Sequence, residues 1–484
     1  MKKAFLTIAC ITLITTCENS QETCIDFTRN DIGQYFENVK KDPVALREFL
    51  WQMPKGGDIH HHALGSVFAE DYVNLALDKG LYINPDTYQL YFDETDALSK
   101  DDEQAIPINT LIDRDSLAKE HIIDHWSVRN HKENGRDGRH WFFSTFQKFE
   151  PAMIGNEPYF LSKLCKAASL ENVQYLETMV AVPSIVQRVG RLTEGKEWKP
   201  QTSVKDHLDD WFNHFEEKDI DQWAEYNAEV MDHWIRSTNT HGVTLKFQAV
   251  GLRIIPDLPI TFAHLVLAFK TALITKNLVG VNFVAPEDHT ISLSHYKTHM
   301  AMFRFLRYKY PEVKLSLHAG ELVPDKGDVQ ANDLTYHIDE AITIAEAQRI
   351  GHGVDILSEP RKDELLTIMR KRQIAVELNL ESNAVILETT PKTHPLQTYL
   401  EADVPLCISS DDAGILRSDL TRQYEMLVEY YPGISYGELK GLVENSIQYS
   451  FLDENDRTIE LKKLKRLFQE FEKNKRPGVQ TPDL

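Results

Sequence analysis

Cysteine is scarce in this chain: five in 484 residues, at positions 10, 17, 24, 165 and 407. None forms the short-spaced pair of a metal site, and no disulfide framework is visible. A cysteine-stapled architecture is therefore excluded. Cys407 lies in an apolar run and reads as a core residue. Positive charge is in deficit, with 53 Lys and Arg against 74 Asp and Glu and a net charge of −21. That balance argues against a nucleic-acid or anionic-membrane surface, though not against a small neutral ligand. No solenoid-type repeat is present. What is left is an ordinary globular composition, long enough for one large α/β domain or for two to three smaller ones.

The N-terminus stands apart. Lys2 and Lys3 precede an apolar run from Ala4 to Ile14, which Thr15-Thr16-Cys17 follows. The run is too short to span a bilayer and has the layout of an export signal. A cysteine closing it resembles a bacterial lipoprotein signal, with Cys17 as the acylated residue and the protein tethered to the cell envelope. Threonine before that cysteine departs from the commoner Gly or Ala, so secretion after cleavage nearby is the alternative. The expected organisation is a signal over 1–17, an N-terminal helical extension over 18–50, one catalytic body over 51–473 and a polar tail over 474–484.

The histidine run Asp58-Ile59-His60-His61-His62 is unusual. Side chains of an extended strand alternate faces, so His60 and His62 point one way and His61 the other. Two imidazoles on one face can share a metal ion. A solvated histidine cluster is the plainer alternative.

Downstream, short apolar runs alternate with helical patterns. With Asp58–His62, the runs Val173–Val180, Val243–Val250, Val279–Val284, Lys314–His318, Arg349–His352, Ile374–Leu378 and Pro405–Ser409 make eight candidate strands. Thr261–Lys276, His295–Tyr308, Leu334–Ala347 and Glu359–Arg372 read as helices between them. Eightfold alternation predicts an α/β fold, a (β/α)8 barrel, with helical insertions in the long intervals after strands one and two. Phe142, Phe146 and Phe149 share one helical face, either as a core-facing stripe or as rings over a pocket mouth. Leu461, Leu464, Phe468 and Phe471 mark a closing helix.

In such a barrel the active site lies at the C-terminal strand ends. His60 and His62 end strand one, His318 strand five and His352 strand six, while Asp411 and Asp412 follow strand eight. Each item alone is weak, because a strand-end histidine or a capping aspartate is usually structural. Together, with glycines beside each of them, they point to a shared site. Two adjacent aspartates at a water-poor mouth repel each other unless a cation is present. His60, His62, His318 and Asp411 can hold zinc and leave a position for water. Glu321 then stands as proton donor or acceptor, and His352 as a group that orients or deprotonates the water.

These motifs resemble the adenosine deaminase family. The resemblance runs from Met53-Pro54-Lys55 through His60-x-His62, the Phe142/Phe146 region and Tyr175-Leu176-Glu177. It continues through His318-Ala319-Gly320-Glu321, Gly351-His352-Gly353, Ser382-Asn383 and Ser409-Ser410-Asp411-Asp412, to Asn445 and Ser450-Phe451-Leu452. It implies a (β/α)8 barrel with one zinc on His60, His62, His318 and Asp411. It also implies that Glu321 protonates purine N1, that His352 positions the attacking hydroxide, and that Asp412 contacts N7. Ala285 and His62 complete the substrate-facing set, and the product is a hypoxanthine. The implied partner is a small purine nucleoside, most simply adenosine or 2′-deoxyadenosine. The H-x-E…P-C-x-x-C signature of the other purine-deaminating zinc fold is absent. Three positions depart from the family pattern: Leu64 stands where a sugar-contacting Asp is common, Ala285 where a glycine is, and Ala413 where a proline is. The N-terminal extension resembles the secreted branch related to adenosine deaminase growth factors.

Overall fold

The computed structural model describes residues 32–198 and 204–475. Cys17, the export segment and the tail beyond 475 lie outside these residues.

Eight parallel strands form the frame: β1 (Gly56–His62), β2 (Val173–Val180), β3 (Thr244–Leu252), β4 (Leu278–Val284), β5 (Ser316–Ala319), β6 (Arg349–His352), β7 (Ala375–Leu378) and β8 (Leu406–Ile408). The first four pair in chain order, and so do the last four. Two bridges join the halves, Val281 to Leu315 and His61 to Asp411. At the second, the Asp411 N–H donates to the His60 carbonyl and the His62 N–H to the Asp411 carbonyl, both at 3.0 Å. The sheet thus closes into the (β/α)8 barrel that the strand runs predict. Its boundaries fall within two residues of the expected ones.

Burial explains why these runs become strands. Every residue of β5 to β8 is buried, as both faces of a barrel strand must be. Polar side chains occupy part of the interior and pair there. Arg349 bridges Glu177 and Glu377 across the barrel, and the Phe451 ring lies 3.7 Å beneath its guanidinium. The Phe451 N–H also donates to Glu177 at 3.0 Å.

The interval after β1 is less purely helical than its sequence suggests. Beside helices such as Ala69–Lys79, Ala118–His125 and Glu157–Leu170 it contains a small antiparallel ribbon of Tyr82–Ile83, Leu90–Tyr91 and Ile106–Pro107. Two-residue strands leave no periodicity to read. The aromatic run breaks into helices Gly138–Phe143 and Phe146–Met153. Phe142 and Phe149 are buried and Phe146 half-buried, so the stripe faces the core, with Phe149 stacked on Tyr72 at 4.6 Å.

After β2, helices Ile185–Thr193, Val204–Glu217 and Ile220–Ser237 intervene. They account for helix Leu258–Ile274, which is apolar nearly all round and buried along most of its length. The helix expected over Leu334–Ala347 is split into a short turn at Asp333–Thr335 and a helix at His337–Thr343. Tyr336, with φ of −154°, interrupts it, and the next ring, His337, is held by Glu287 at 2.6 Å. The N-terminal helix Pro43–Gln52 is capped by Asp42 and packs Phe49 against Phe471 of the closing helix Glu454–Asn474 at 5.1 Å. Each such buried ring contributes about 1.5–3 kcal/mol. Among the described residues no helix is long and apolar enough to cross a membrane.

Candidate active site

The strand ends converge as the sequence predicts. His60 Nε2 lies 3.1 Å and His62 Nε2 3.2 Å from His318 Nε2. Asp411 Oδ1 is 3.5 Å from the first and 3.2 Å from the second. His352 Nε2 stands 3.7 Å from Glu321 Oε1 and 3.9 Å from Asp411 Oδ2. Asp412 is buried beside Gly65, with its Oδ1 unpartnered among the described residues. His61 points away and bonds Thr178 Oγ1 at 2.8 Å.

The backbone is bent to bring these groups together. His352, Asp411 and Ala285 adopt φ of 67°, 62° and 85°, the left-handed region that non-glycine residues enter rarely. The Asp411 conformation is set by the bridge that closes the barrel. Ala285 therefore keeps a glycine-like backbone although it carries a methyl group.

A metal test follows from the hydrogen atoms. His60 Nδ1 is 2.6 Å from the Glu377 carboxylate, an acceptor, so Nδ1 carries a proton and Nε2 is the nitrogen turned to the cluster; burial works against a charged ring, but Asp411 and Glu377 raise it to about 9. His318 Nδ1 is 2.8 Å from Asn282 Oδ1, which also accepts the Phe283 and His318 N–H groups. Burial and the neighbouring rings hold His318 well below the usual imidazole range, so its Nε2 is bare. The two Nε2 atoms stand 3.1 Å apart, and a cation between them would take the place of the His60 Nε2 proton. Four nitrogen and oxygen ligands at zinc-like bond lengths stand about 3.3 Å apart on a tetrahedron, close to the separations seen here. The donor set fits a divalent metal.

The carboxylates divide by environment. Burial works to raise Asp411, but contacts with His60 and His62 hold it well below the usual carboxylate range. Burial, with the Asp411 charge next to it, pushes Asp412 well above. Burial and Asp411 likewise push Glu321 well above, which favours the protonated form of its carboxyl. Burial lowers His352 to about 3, so its ring is neutral.

Several supporting residues carry no role in the sequence reading. Glu287 accepts the backbone N–H groups of Gly320 at 3.1 Å and Glu321 at 2.9 Å, fixing the turn that aims Glu321. Burial opposes its ionisation, but Arg253 at 3.3 Å and His337 hold it at about 2. Glu377 and Asn282 orient the His60 and His318 rings. All three interrupt apolar runs at or just after strands, the one trace they leave in the sequence.

The profile of the family described as "Adenosine deaminase" matches residues 224–466. The match includes His318, Glu321, His352, Asp411 and Asp412; His60 and His62 lie before it and join the site through barrel closure. Among curated relatives, adenosine deaminases of Enterococcus faecalis and Shewanella denitrificans are each 29% identical, over 150 and 195 residues. The alignments cover 30% and 40% of this chain and 40% and 50% of those proteins, so the matched stretch spans half or less of their length. Among solved structures, the N6-methyl-AMP deaminase of Arabidopsis thaliana superposes over 88% of this chain and 99% of its own, with a TM-score of 0.56 and 18% identity. A zinc-bound amidohydrolase of Burkholderia ambifaria covers 88% and 94%, with a TM-score of 0.50 and 14% identity. These two show the fold.

Proposed function

The chain belongs to the adenosine deaminase family, and from that premise we propose that it hydrolyses the exocyclic amine of a 6-aminopurine nucleoside. Adenosine or 2′-deoxyadenosine is the substrate, and inosine or 2′-deoxyinosine plus ammonia are the products. The observation that carries this reading is the convergence of three imidazoles and Asp411 beside a buried Glu321 whose environment favours its protonated form.

His60, His62, His318 and Asp411 would hold zinc, and zinc bound there supplies a Lewis acid that makes water nucleophilic near neutral pH. Glu321 donates its proton to purine N1, so that electron density can leave C6 as the water oxygen adds. His352 orients that oxygen through Nε2. Asp412, whose protonated form is favoured by burial and by Asp411, hydrogen-bonds N7, and Ala285 and His62 border the ring. Of the two protons of the added water, one passes to the exocyclic amine and one returns to the Glu321 carboxylate; the C6–N6 bond then breaks, the amine leaves as ammonia, and the oxygen becomes the 6-oxo group.

Leu64 favours a second reading within the same chemistry. It is half-buried and its carbonyl accepts the Tyr72 hydroxyl at 2.7 Å, while its side chain offers no hydrogen bond to a ribose. Adenine or a 5′-modified adenosine is the alternative substrate. The lipoprotein-like N-terminus supports export and a tether through Cys17, with the product formed outside the cytoplasm, in keeping with a secreted, growth-factor-related branch.

Ammonia release and ultraviolet absorbance, followed on adenosine, 2′-deoxyadenosine, adenine and 5′-modified adenosine, test the function. Activity on a nucleoside should vanish with a chelator and return with zinc. Glu321→Gln should keep the metal and lower kcat by roughly 10²- to 10⁴-fold. A protein that releases no ammonia from any 6-aminopurine when zinc-loaded, or a fully active Glu321→Gln variant, overturns the proposal.

A further inference from the structure

Behind the reacting groups runs a line of buried hydrogen bonds whose donors can be assigned one by one. It starts at a backbone N–H, which can only donate. Leu396 N lies 3.1 Å from His394 Nδ1, so that nitrogen is an acceptor. Burial lowers the His394 ring to about 4 and keeps it neutral, so its single proton sits on Nε2. His394 Nε2 is 3.2 Å from Asn383 Oδ1 and donates to it. This fixes the Asn383 amide, whose Nδ2 is 2.9 Å from His352 Nδ1 and donates there. His352 Nδ1 is thereby an acceptor, and its proton is on Nε2.

Asn379 provides an independent check. Its amide nitrogen is placed 3.4 Å from His352 Nε2, while its own Oδ1 is buried without a partner. A neutral imidazole cannot accept at both nitrogens. Asn383 is pinned by His394, so Asn379 is the amide to turn. Turning it removes the clash of two donors and faces the orphaned oxygen to the Nε2 side at 3.4 Å, too long a contact to hold the Nε2 proton, which stays available to the attacking oxygen.

We propose that His394 is a positioning residue: acting through Asn383, it fixes His352 as the Nε2–H tautomer, so that His352 meets the attacking oxygen as a hydrogen-bond donor. The proposal rests on the deaminase reading for its consequence in catalysis, but the tautomer is a property of the chain. His394 is remote from the reacting atoms, in the connection between β7 and β8 just before helix Leu396–Glu401. Its effect is to remove the choice between two roles for His352. With Nε2 protonated, the ring cannot take a proton from water at that atom and acts by orienting it as a hydrogen-bond donor.

The test uses the full chain labelled with ¹⁵N-histidine, metal-free and zinc-loaded. His352 is identified by the signal lost in His352→Gln. Wild type should show a pyrrole-type nitrogen at Nε2 and a pyridine-type nitrogen at Nδ1 in both states. His394→Phe keeps the ring volume and removes the donor. It should mix or reverse the tautomer and lower kcat by about ten- to a hundredfold with little change in KM. In His394→Gln the amide can accept from Leu396 and donate to Asn383, so both readouts should recover. A pyridine-type Nε2 in the wild type overturns the proposal without any variant. So does an unaltered tautomer in His394→Phe, or a His394→Gln as impaired as His394→Phe. If the protein proves inactive on every 6-aminopurine, the deaminase reading fails, and the spectra still decide the tautomer.

Discussion

At position 65 a side chain and the site compete for the same space. A Cβ built on Gly65 falls 1.7 Å from Asp412 Oδ1, inside any contact distance. Gly65→Ala must therefore displace the Asp412 carboxyl by about an ångström, a shift that costs roughly a hundredfold in turnover efficiency. We expect kcat/KM for the preferred 6-aminopurine to fall by that factor, with zinc content unchanged; steady-state kinetics beside metal analysis checks it. Full kcat/KM in the variant would remove Asp412 from substrate binding. At this scale the sequence was informative where chemistry is written in residue type. His60 and His62 emerged from strand alternation, and His318, His352, Asp411 and Asp412 from their places after strand runs. It was silent on backbone conformation. Nothing in the letters at 285, 352 and 411 announces a positive φ, because that is imposed by barrel closure and by the turns around it. Asn383 and Glu377 look like any polar residue near a strand until their partners are known.

Among the elements, β6 carries the charge that holds the barrel interior together. Arg349 is fully buried and pairs with Glu177 from β2 and Glu377 from β7. Glu377 in turn accepts the His60 Nδ1 proton, so this pairing reaches the proposed metal site. Arg349→Met leaves two carboxylates buried against each other with no counter-charge. Breaking a buried ion pair in this way costs about 3–5 kcal/mol. Urea unfolding should show that loss, and zinc affinity should fall about ten- to a hundredfold as Glu377 takes up a proton. A variant with an unchanged unfolding midpoint would show that this pairing adds nothing to stability. The element order was legible because parallel strands buried on both faces leave continuous apolar runs. The ribbon at Tyr82–Ile83, Leu90–Tyr91 and Ile106–Pro107 was not, because strands of two residues are made by their partners rather than by their own pattern.

For the molecule as a whole, the response to acid is a contest between two sets of buried groups. Burial lowers His264 to about 4, His299 to about 3 and His394 to about 4. Each is neutral in the folded chain and titrates near 6.5 when unfolded. Between those values the unfolded state binds the extra proton, so their contribution to stability is complete above pH 6.5 and is lost as pH falls. Burial raises Glu359 to about 7, which has the opposite sign: the folded state binds the proton, and stability declines as pH rises towards 7. Acidification also relieves the self-repulsion of a chain carrying −21. The wild-type curve therefore sums opposing slopes, and a single substitution isolates one of them. His299 is the cleanest choice. Neither ring nitrogen has a partner among the described residues, its ring lies 4.8 Å from Phe283, and the neighbouring charged forms of His295 and Arg253 disfavour its protonation further. In His299→Leu the proton-binding difference at this position disappears. Its stability relative to wild type should improve by about 1.4 kcal/mol per pH unit as pH falls below 6.5. Denaturant unfolding of both proteins at pH 7.5 and pH 5 measures the change. Parallel pH dependence in the two would mean that His299 takes up its proton without unfolding, and that the helix Thr290–Lys309 opens to water around it.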